Sequence, residues 1–320
     1  MDILHLSNNL SVNKNTKQSK KHSALKEILL QYDLFLMVFP AFILVVIFNY
    51  APMYGLTIAF KNYNIMEGIL NSPWAGFKHF KQLFTSLDFK RVLVNTVLIS
   101  VYRLIFQFPV PIILALMLND VKNRKFKRVI QNVTYLPHFV SWAIFGAIVI
   151  DILAKDGIIN RMLSLFDVKP ILFLTKKQYF RTIVVASQTW KEAGWSAIIY
   201  LSALSAIDPQ LYEAAIVDGA GKLRQIWHIT LPGITSTIMF IIILRLGALL
   251  STDVEQILML YNPLVYDTGD VIGTYIFRVG LGQMKYDFTT AVGLFQSLIG
   301  FILVLISNYL SKKTAETGLF

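Results

Sequence analysis

The chain has 320 residues, of which 55% are hydrophobic and only 15% are charged, and it contains no cysteine. A soluble domain carries about 25% charged residues, so a chain this poor in charge is expected to contact lipid; the lack of cysteine excludes disulfides and thiolate metal sites. The net charge of +11 does not indicate nucleic-acid binding, because the lysines and arginines lie mostly between apolar runs rather than on one polar domain.

The N-terminal 33 residues are polar and basic, and a long apolar segment without a small-residue cleavage site follows them. A secretory signal peptide has a shorter basic start and a shorter apolar core. Residues 1–33 are therefore predicted to be a cytoplasmic tail that stays attached to the protein.

Six apolar segments follow, each long enough to cross a hydrocarbon core of ~30 Å as a helix. They lie at residues 34–60, 92–118, 129–150, 182–206, 233–258 and 288–311. Strand spans would alternate apolar and polar residues, whereas a run such as Ile112–Leu118 is continuously apolar. The sequence thus predicts an all-α polytopic membrane protein with six transmembrane helices, a transmembrane domain at 34–311 and a C-terminal tail at 312–320.

The loop at 119–128 sets the predicted orientation. It carries five basic residues within ten positions, namely Lys122, Arg124, Lys125, Lys127 and Arg128. Basic residues in short loops stay on the cytoplasmic side of a membrane. Both termini and the loop between the fourth and fifth spans are then predicted to be cytoplasmic.

The polar stretch at 208–232 lies in that second loop and has the pattern of a helix, a glycine turn and a second helix. Asp208 before Pro209 is a helix start signal, and Gly219 ends the helix or permits a positive φ. Small residues at its tip allow another backbone to approach closely. These features favour a docking segment.

The same stretch resembles the EAA loop of the permease subunits of ABC importers. The residues that match are Glu213-Ala214-Ala215, Asp218-Gly219-Ala220 and Ile229-Thr230-Leu231-Pro232. Relatives often carry Trp and Phe where this chain has Leu223 and Ile226, but both replacements are apolar. The resemblance implies that the loop docks into a groove of a separate ATPase subunit through Glu213, Ala214, Ala215, Asp218, Gly219, Ala220, Leu223, Ile226, Leu231 and Pro232.

Further matches along the chain resemble the polysaccharide-type branch of the sugar (maltose-type) permeases, which includes transporters of alginate and aldouronates. They are Pro52–Gly55, Ser72–Gly76, Tyr135–His138, Trp190–Trp195, Tyr261–Tyr266 and Ala291–Leu294. The resemblance implies a bacterial cytoplasmic-membrane importer of oligosaccharides. It also implies four kinds of contact: a second, related permease subunit in a heterodimer, two ATPase subunits, an extracytoplasmic solute-binding protein and the lipid bilayer.

Charged residues inside predicted spans are functional candidates, because a charge in lipid is costly. Lys191 and Asp253 are such residues, and the path candidates are Arg103, Trp190, Glu192, Arg245 and Glu255. Trp190 suits stacking on a sugar ring or anchoring at an interface. The charged residues suit either the path or a structural ion pair between helices, such as Glu192 with Arg245. The substrate expected from the arginines and the resemblance is an acidic, uronate-containing oligosaccharide, with a neutral oligosaccharide as the alternative.

The sequence offers no catalytic or metal site. Gly219-Ala-Gly-Lys222 lacks the first glycine and the Ser or Thr of a phosphate-binding loop. ATP and Mg are therefore expected on the partner ATPase subunits, and the chain is expected not to be an enzyme. An ion-coupled secondary transporter is the remaining alternative, but such transporters show repeated halves with paired broken helices, and no internal repeat is apparent.

The orientation can be tested with reporter fusions at residue 124 and at the C-terminus. Both are expected to report the cytoplasm, because a short loop rich in Lys and Arg stays on the cytoplasmic side of the membrane. An extracytoplasmic signal at either position would contradict the six-span arrangement.

Overall fold

The computed structural model describes residues 32–251 and 253–315, and these residues form helices and connecting turns without a β-strand. The N-terminal tail predicted at 1–33 lies almost wholly outside the described residues, as do positions 316–320. The chain divides into one unit at 1–57 and a second at 58–320.

The described part of the first unit is one apolar helical run. It consists of α1 (Tyr32–Val45), a π-helical turn (Val46–Tyr50) and the start of a 3-10 helix (Ala51–Phe60). Pro40 lies inside α1. Together these 29 residues are long and apolar enough to cross a membrane, in agreement with the first predicted span.

The second unit contains the remaining helices. The longer ones are α2 (Leu87–Tyr102), α3 (Pro109–Asp120), α4 (Arg124–Tyr135), α5 (Trp142–Leu153), α6 (Lys177–Ser205), α7 (Pro209–Val217), α8 (Thr235–Gly247), α9 (Val254–Leu260) and α10 (Tyr286–Ala315). Shorter α-helices lie at Gly68–Asn71, Lys78–Thr85, Ile158–Ser164, Lys222–Gln225, Leu231–Gly233, Tyr266–Gly269 and Ile272–Ile276. Single 3-10 or π-helical turns lie at Arg103–Gln107, Leu136–Phe139, Phe173–Thr175, Ile226–Thr230, Pro263–Val265 and Phe277–Leu281.

Helix α6 is the central element of this unit. At one end Phe180, Ile183 and Val184 form a buried apolar cluster with residues of α5 and α9. At its other end Ala197, Tyr200 and Leu204 form a second cluster with Ala115 of α3. Because α6 touches most of the other spans, its side chains are placed to connect them.

Three helical runs have the length and hydropathy of membrane spans, namely Tyr32–Phe60, Leu87–Asp120 and Tyr286–Leu310, and two bent pairs of helices raise the number to as many as five. Helix α6, the fourth predicted span, is 29 residues long, but it carries Lys191 and Glu192 at its centre. The apolar helices fit the polytopic membrane fold that the sequence predicts.

The third predicted span is not the continuous helix expected at 129–150. Helix α4 and the turn after it run from Arg124 to Phe139, and the chain then bends by 107° before α5. Ser141 has extended backbone angles, and Pro137 in the preceding turn cannot donate a backbone hydrogen bond. The basic residues from Arg124 to Arg128 also lie on the first turns of α4 and not in a loop.

The fifth predicted span, 233–258, is also interrupted. Helix α8 ends at Gly247, and α9 begins only at Val254 and packs against α5. The segment between them carries the charged residue Asp253. The prediction treated this stretch as one helix because its apolar residues continue across the break.

Gly194 allows α4 to approach α6 closely. A Cβ at this position would overlap the backbone carbonyl of Thr134. Replacing Gly194 with Ala should therefore lower the free energy of unfolding by about 1–3 kcal/mol, the usual effect of overpacking. We expect a lower melting temperature in detergent.

Gly282→Ala is the matched control. This glycine has an ordinary helical φ of −74°, and a Cβ there would meet no atom within 4 Å. It should leave the melting temperature unchanged or raise it, because Ala restricts the unfolded chain more than Gly does. Equal effects of the two substitutions would contradict the proposed close approach.

Candidate functional site

The segment 208–232 folds as helix, turn and helix, in line with its pattern. Helix α7 begins after Asp208, whose Oδ1 accepts a hydrogen bond of 2.9 Å from the backbone of Gln210. The turn contains Gly219 with a φ of +74°, a conformation in which other residues are strained. The second helical part starts at Lys222 and continues to Gly233 through a π-helical turn.

Internal hydrogen bonds hold this segment in shape. The Gln225 side chain is buried and donates to the carbonyl of Ala220 at 2.8 Å. The hydroxyls of Tyr212 and Thr230 lie 3.1 Å apart and join the two helical parts. Lys222 pairs with Asp120 at the end of α3, at 3.1 Å. These bonds hold the two helical parts of the segment together and connect the segment to the end of α3.

The predicted docking residues lie mainly on the outside of this segment. Exposed positions are Glu213, Ala214, Asp218, Gly219, Leu223 and Pro232, and half-buried ones are Ala215, Ala220, Ile226 and Leu231. Large apolar side chains beside them are also exposed, namely Ile216, Val217 and Trp227. An exposed apolar patch on a polar segment is typical of a surface that contacts another protein.

A cavity of about 380 Å³ lies between α2, α3, α6 and α8. Its charged lining residues are Arg103, Glu192, Arg245 and Asp253, and its polar ones include Ser100, Gln107, Ser196, Tyr200 and Ser251. Three of the predicted path residues, Arg103, Glu192 and Arg245, therefore lie in one cavity. These residues are far apart in the sequence, since Arg103 and Arg245 are separated by 142 positions.

A π-helical turn between α2 and α3 forms one wall of this cavity. The backbone N–H of Phe108 donates to the carbonyl of Arg103, five residues earlier, at 3.0 Å. Pro109 follows, and its ring is incompatible with a regular helical turn before it. The π-helical turn takes up this mismatch and places both Arg103 and Gln107 on the cavity wall.

Arg103 is held from one side. One terminal nitrogen donates to Gln256 Oε1 at 2.5 Å, and the other lies 3.7 Å from a carboxylate oxygen of Asp253. Its Nε is buried without a hydrogen-bond partner, and so is Oε1 of Gln107. A buried polar atom without a partner is costly, so both side chains carry an unsatisfied polar atom beneath the cavity wall.

Arg245 lines the same cavity from α8. It is exposed and forms no ion pair within residues 32–251 and 253–315. An ion pair between Glu192 and Arg245, considered from the sequence, is therefore wrong. Arg245 is a cation whose charge is open to an anionic occupant.

Glu192 pairs instead with His138 at the bend between α4 and α5. Its Oε2 lies 2.8 Å from His138 Nδ1, and its Oε1 lies 3.9 Å from Lys191 Nζ. The imidazole of His138 stacks on Trp195 with ring centroids 4.5 Å apart. Glu192 therefore has a hydrogen-bonding partner in His138 and a positive charge nearby in Lys191.

Lys191 closes the open end of the helix before the bend. Its ammonium is buried and donates to three carbonyls, those of Pro137, His138 and Val140, at 3.1, 2.7 and 2.8 Å. A helix C-terminus carries a partial negative charge that a cation stabilises. Lys191, a charged residue noted from the sequence, thus supports the bend and does not line the cavity.

Two of the predicted path residues lie elsewhere. Trp190 packs against Phe145 at 4.9 Å between ring centroids and lines a separate, apolar pocket of about 300 Å³. Glu255 is exposed on α9 and is not among the residues that line the charged cavity. Neither position brings its side chain to the two arginines.

At the ends of α2 and α6 that lie away from the 208–232 segment, Asp267 joins three parts of the chain. It accepts hydrogen bonds from Lys177 and from Arg91. The hydrogen bond and the charge of Lys177, followed by the charge of Arg91, lower the pKa of the Asp267 carboxyl. Asp267 therefore stays ionised and keeps these helix ends connected near neutral pH.

The sequence did not single out Gln107 or Gln256. Neutral amides do not stand out in an apolar segment, and the contact of Gln256 with Arg103 spans 153 positions. Pro109 was the available signal for Gln107, because a proline inside a span displaces nearby backbone bonds. Among the described residues, no three His, Asp or Glu side chains are grouped as metal ligands.

The chain is similar to known transport proteins in sequence and in structure. Residues 107–316 match the family model described as "Binding-protein-dependent transport system inner membrane component". The polygalacturonan/rhamnogalacturonan transport system permease protein YteP of Bacillus subtilis (strain 168) is 43% identical over 305 residues, which cover 95% of each chain.

Two solved structures are also similar. One is a bacterial alginate ABC transporter in complex with a periplasmic protein that holds an alginate pentasaccharide. The other is a bacterial ABC transporter involved in the import of alginate, which is described as an acidic polysaccharide. In each case the likeness has a TM-score of 0.85 and 41% sequence identity, and it covers 92% of this chain and 99% of the other.

Proposed function

Because this chain belongs to the family of binding-protein-dependent transport system inner membrane components, we propose that it forms part of the path by which an ATP-driven importer moves acidic oligosaccharides. As a member of that family it is a transport subunit and not an enzyme. The observation that carries the substrate class is the cavity that contains Arg103 and Arg245.

The charges around the cavity support an anionic substrate. Glu192 is hydrogen-bonded to His138 and lies near the charge of Lys191, whereas Arg245 has no ion-pair partner among the described residues. A guanidinium can hold a carboxylate through two parallel hydrogen bonds. The two relatives named for polygalacturonan and alginate transport agree with a uronate-containing substrate. The hydroxyls and amides of the same wall suit the remaining sugar hydroxyls, and they would also serve a neutral oligosaccharide.

We propose that the 208–232 segment docks into an ATPase subunit on the cytoplasmic side. Its exposed apolar side chains and its tip of small residues support this role. Two ATPase subunits would bind ATP and Mg, and a second, related permease subunit would complete the path as a heterodimer. An extracytoplasmic binding protein would deliver the oligosaccharide. Both termini would be cytoplasmic, with tails at 1–33 and 312–320 around a membrane domain at 34–311.

Gly219→Trp tests the docking role. The substitution places a large side chain in an exposed tip and forces a positive φ on a residue with a Cβ, at a cost of about 1–2 kcal/mol. We expect the protein to reach the membrane but transport and substrate-stimulated ATPase activity to be lost. Co-purification of the ATPase subunits measures assembly directly.

Two controls separate bulk from backbone strain. Gly219→Asn should retain much of the activity, because Asn adopts the left-handed conformation more readily than most residues do. Gly221→Ala should be close to wild type, since Gly221 has a φ of −68° and a Cβ there would meet no atom within 4 Å. Normal transport with Gly219→Trp would refute the docking role.

The substrate class is tested in the complete complex, with its binding protein, in proteoliposomes. Uronate oligomers should stimulate ATP hydrolysis more strongly than neutral oligomers of equal length. Arg245→Met should weaken the response to uronates about ten- to 150-fold, in proportion to the loss of a charge-assisted bond of about 1.5–3 kcal/mol. Stimulation by neutral oligomers alone would reject the acidic substrate and leave the transport function intact.

A further inference from the structure

We propose that Asp253 is a resident counter-ion that competes with the carboxylate of the substrate for Arg103. The inference rests on the proposed transport of acidic oligosaccharides through this cavity. It gives Asp253, which lines the cavity but has been assigned no role, the task of keeping substrate binding weak and reversible.

The first step in the argument is that Arg103 keeps its position when its carboxylate partner changes. Gln256 is fully buried, and its Nε2 donates to the carbonyl of Val184 at 2.6 Å and to the hydroxyl of Ser187 at 2.9 Å. These two bonds fix which end of the amide is oxygen, because only the NH₂ end donates. The oxygen therefore faces Arg103 and holds one of its terminal nitrogens at 2.5 Å.

The second step is that the contact with Asp253 is loose by comparison. The distance of 3.7 Å between Arg103 and Asp253 exceeds that of a charge-assisted hydrogen bond, about 2.7–2.9 Å. The Asp253 side chain is 49% exposed, whereas that of Arg103 is 14% exposed. Asp253 also makes no capping hydrogen bond with the helix α9 that follows it. An ion pair of this kind contributes little and exchanges readily.

The third step concerns the location of the exchange. Asp253 is the last residue of the break between α8 and α9. Its carbonyl accepts the first helical hydrogen bond of α9, from Ile257 at 3.3 Å, so only its side chain has to move for the exchange. Arg103, Arg245 and Asp253 line the same cavity, so a substrate carboxylate in it competes with Asp253 for the terminal nitrogen of Arg103 that Gln256 does not hold. It can replace Asp253 there, since both ligands are carboxylates and the charge that Arg103 experiences is unchanged. When the sugar leaves, Asp253 pairs with Arg103 again, and no unpaired buried cation remains to hold the sugar back.

The experiment compares Asp253→Asn with wild type in the complete complex in proteoliposomes, with ATPase stimulation measured against the concentration of loaded binding protein. Removing the competitor should lower the half-saturating concentration for a uronate oligomer about two- to fivefold, as expected for one modest ion pair. The response to a neutral oligomer of equal length should not shift. The maximal rate with the uronate should fall, because release becomes slower.

Glu255→Gln is the matched control. It removes the same charge two positions away, from an exposed side chain that does not line the cavity. An equal gain in affinity with Glu255→Gln would show a general effect of charge and would overturn the inference. Asp253→Asn should also have no effect when Arg103 is replaced by Met, because the competition acts through Arg103.

The remaining outcomes separate this inference from the proposed function. If wild type responds to uronates but Asp253→Asn leaves the half-saturating concentration unchanged or raises it, the competition is refuted and the acidic substrate stands. If wild type responds to neutral oligomers alone, the acidic substrate is refuted and the competition with it. A larger half-saturating concentration for both sugars would indicate a structural role for Asp253 and would also refute the competition.

Discussion

The buried ammonium of Lys191 is the contact on which the arrangement around the cavity depends. Backbone groups in a bilayer must find partners within the protein, because no water is available to them. The bend between α4 and α5 interrupts the helical hydrogen bonds, and Lys191 donates to three carbonyls there. The same bend places His138 within hydrogen-bond distance of Glu192. Glu192 therefore contacts His138 and not Arg245, and Arg245 has no ion-pair partner among the described residues.

One central helix therefore does two tasks through adjacent residues. Lys191 points to the bend and satisfies backbone oxygens, while Glu192 lies on the cavity wall. Gly194, two positions further along, lets α4 approach closely enough for these bonds to form. The ammonium of Lys191 is thus bound by backbone carbonyls, and the cations that line the cavity are Arg103 and Arg245.

Much of the fold followed from the sequence, and the reasons are local. The apolar lengths predict the spans at the two ends of the chain, and Asp208 with Pro209 and Gly219 predicts the shape of the 208–232 segment. The bends at Ser141 and after Gly247 were missed, because apolar residues continue through both breaks and hydropathy does not register backbone direction. The contacts of Arg103 and Glu192 were missed because they connect residues far apart in the chain. The docking and path roles remain predictions that only assays of the complex can test.

The direction in which Arg103 points depends on how many residues form the π-helical turn at Arg103–Gln107, as well as on which residues they are. Such a turn accommodates one residue more than a regular helical turn. Each residue of an α-helix advances the side chains by about 100° around the axis, since one turn takes 3.6 residues. Loss of a single residue at this turn would therefore rotate α2 against α3 and direct Arg103 away from the cavity. A homologous permease that lacks the extra residue would present a different face of this helix to the cavity.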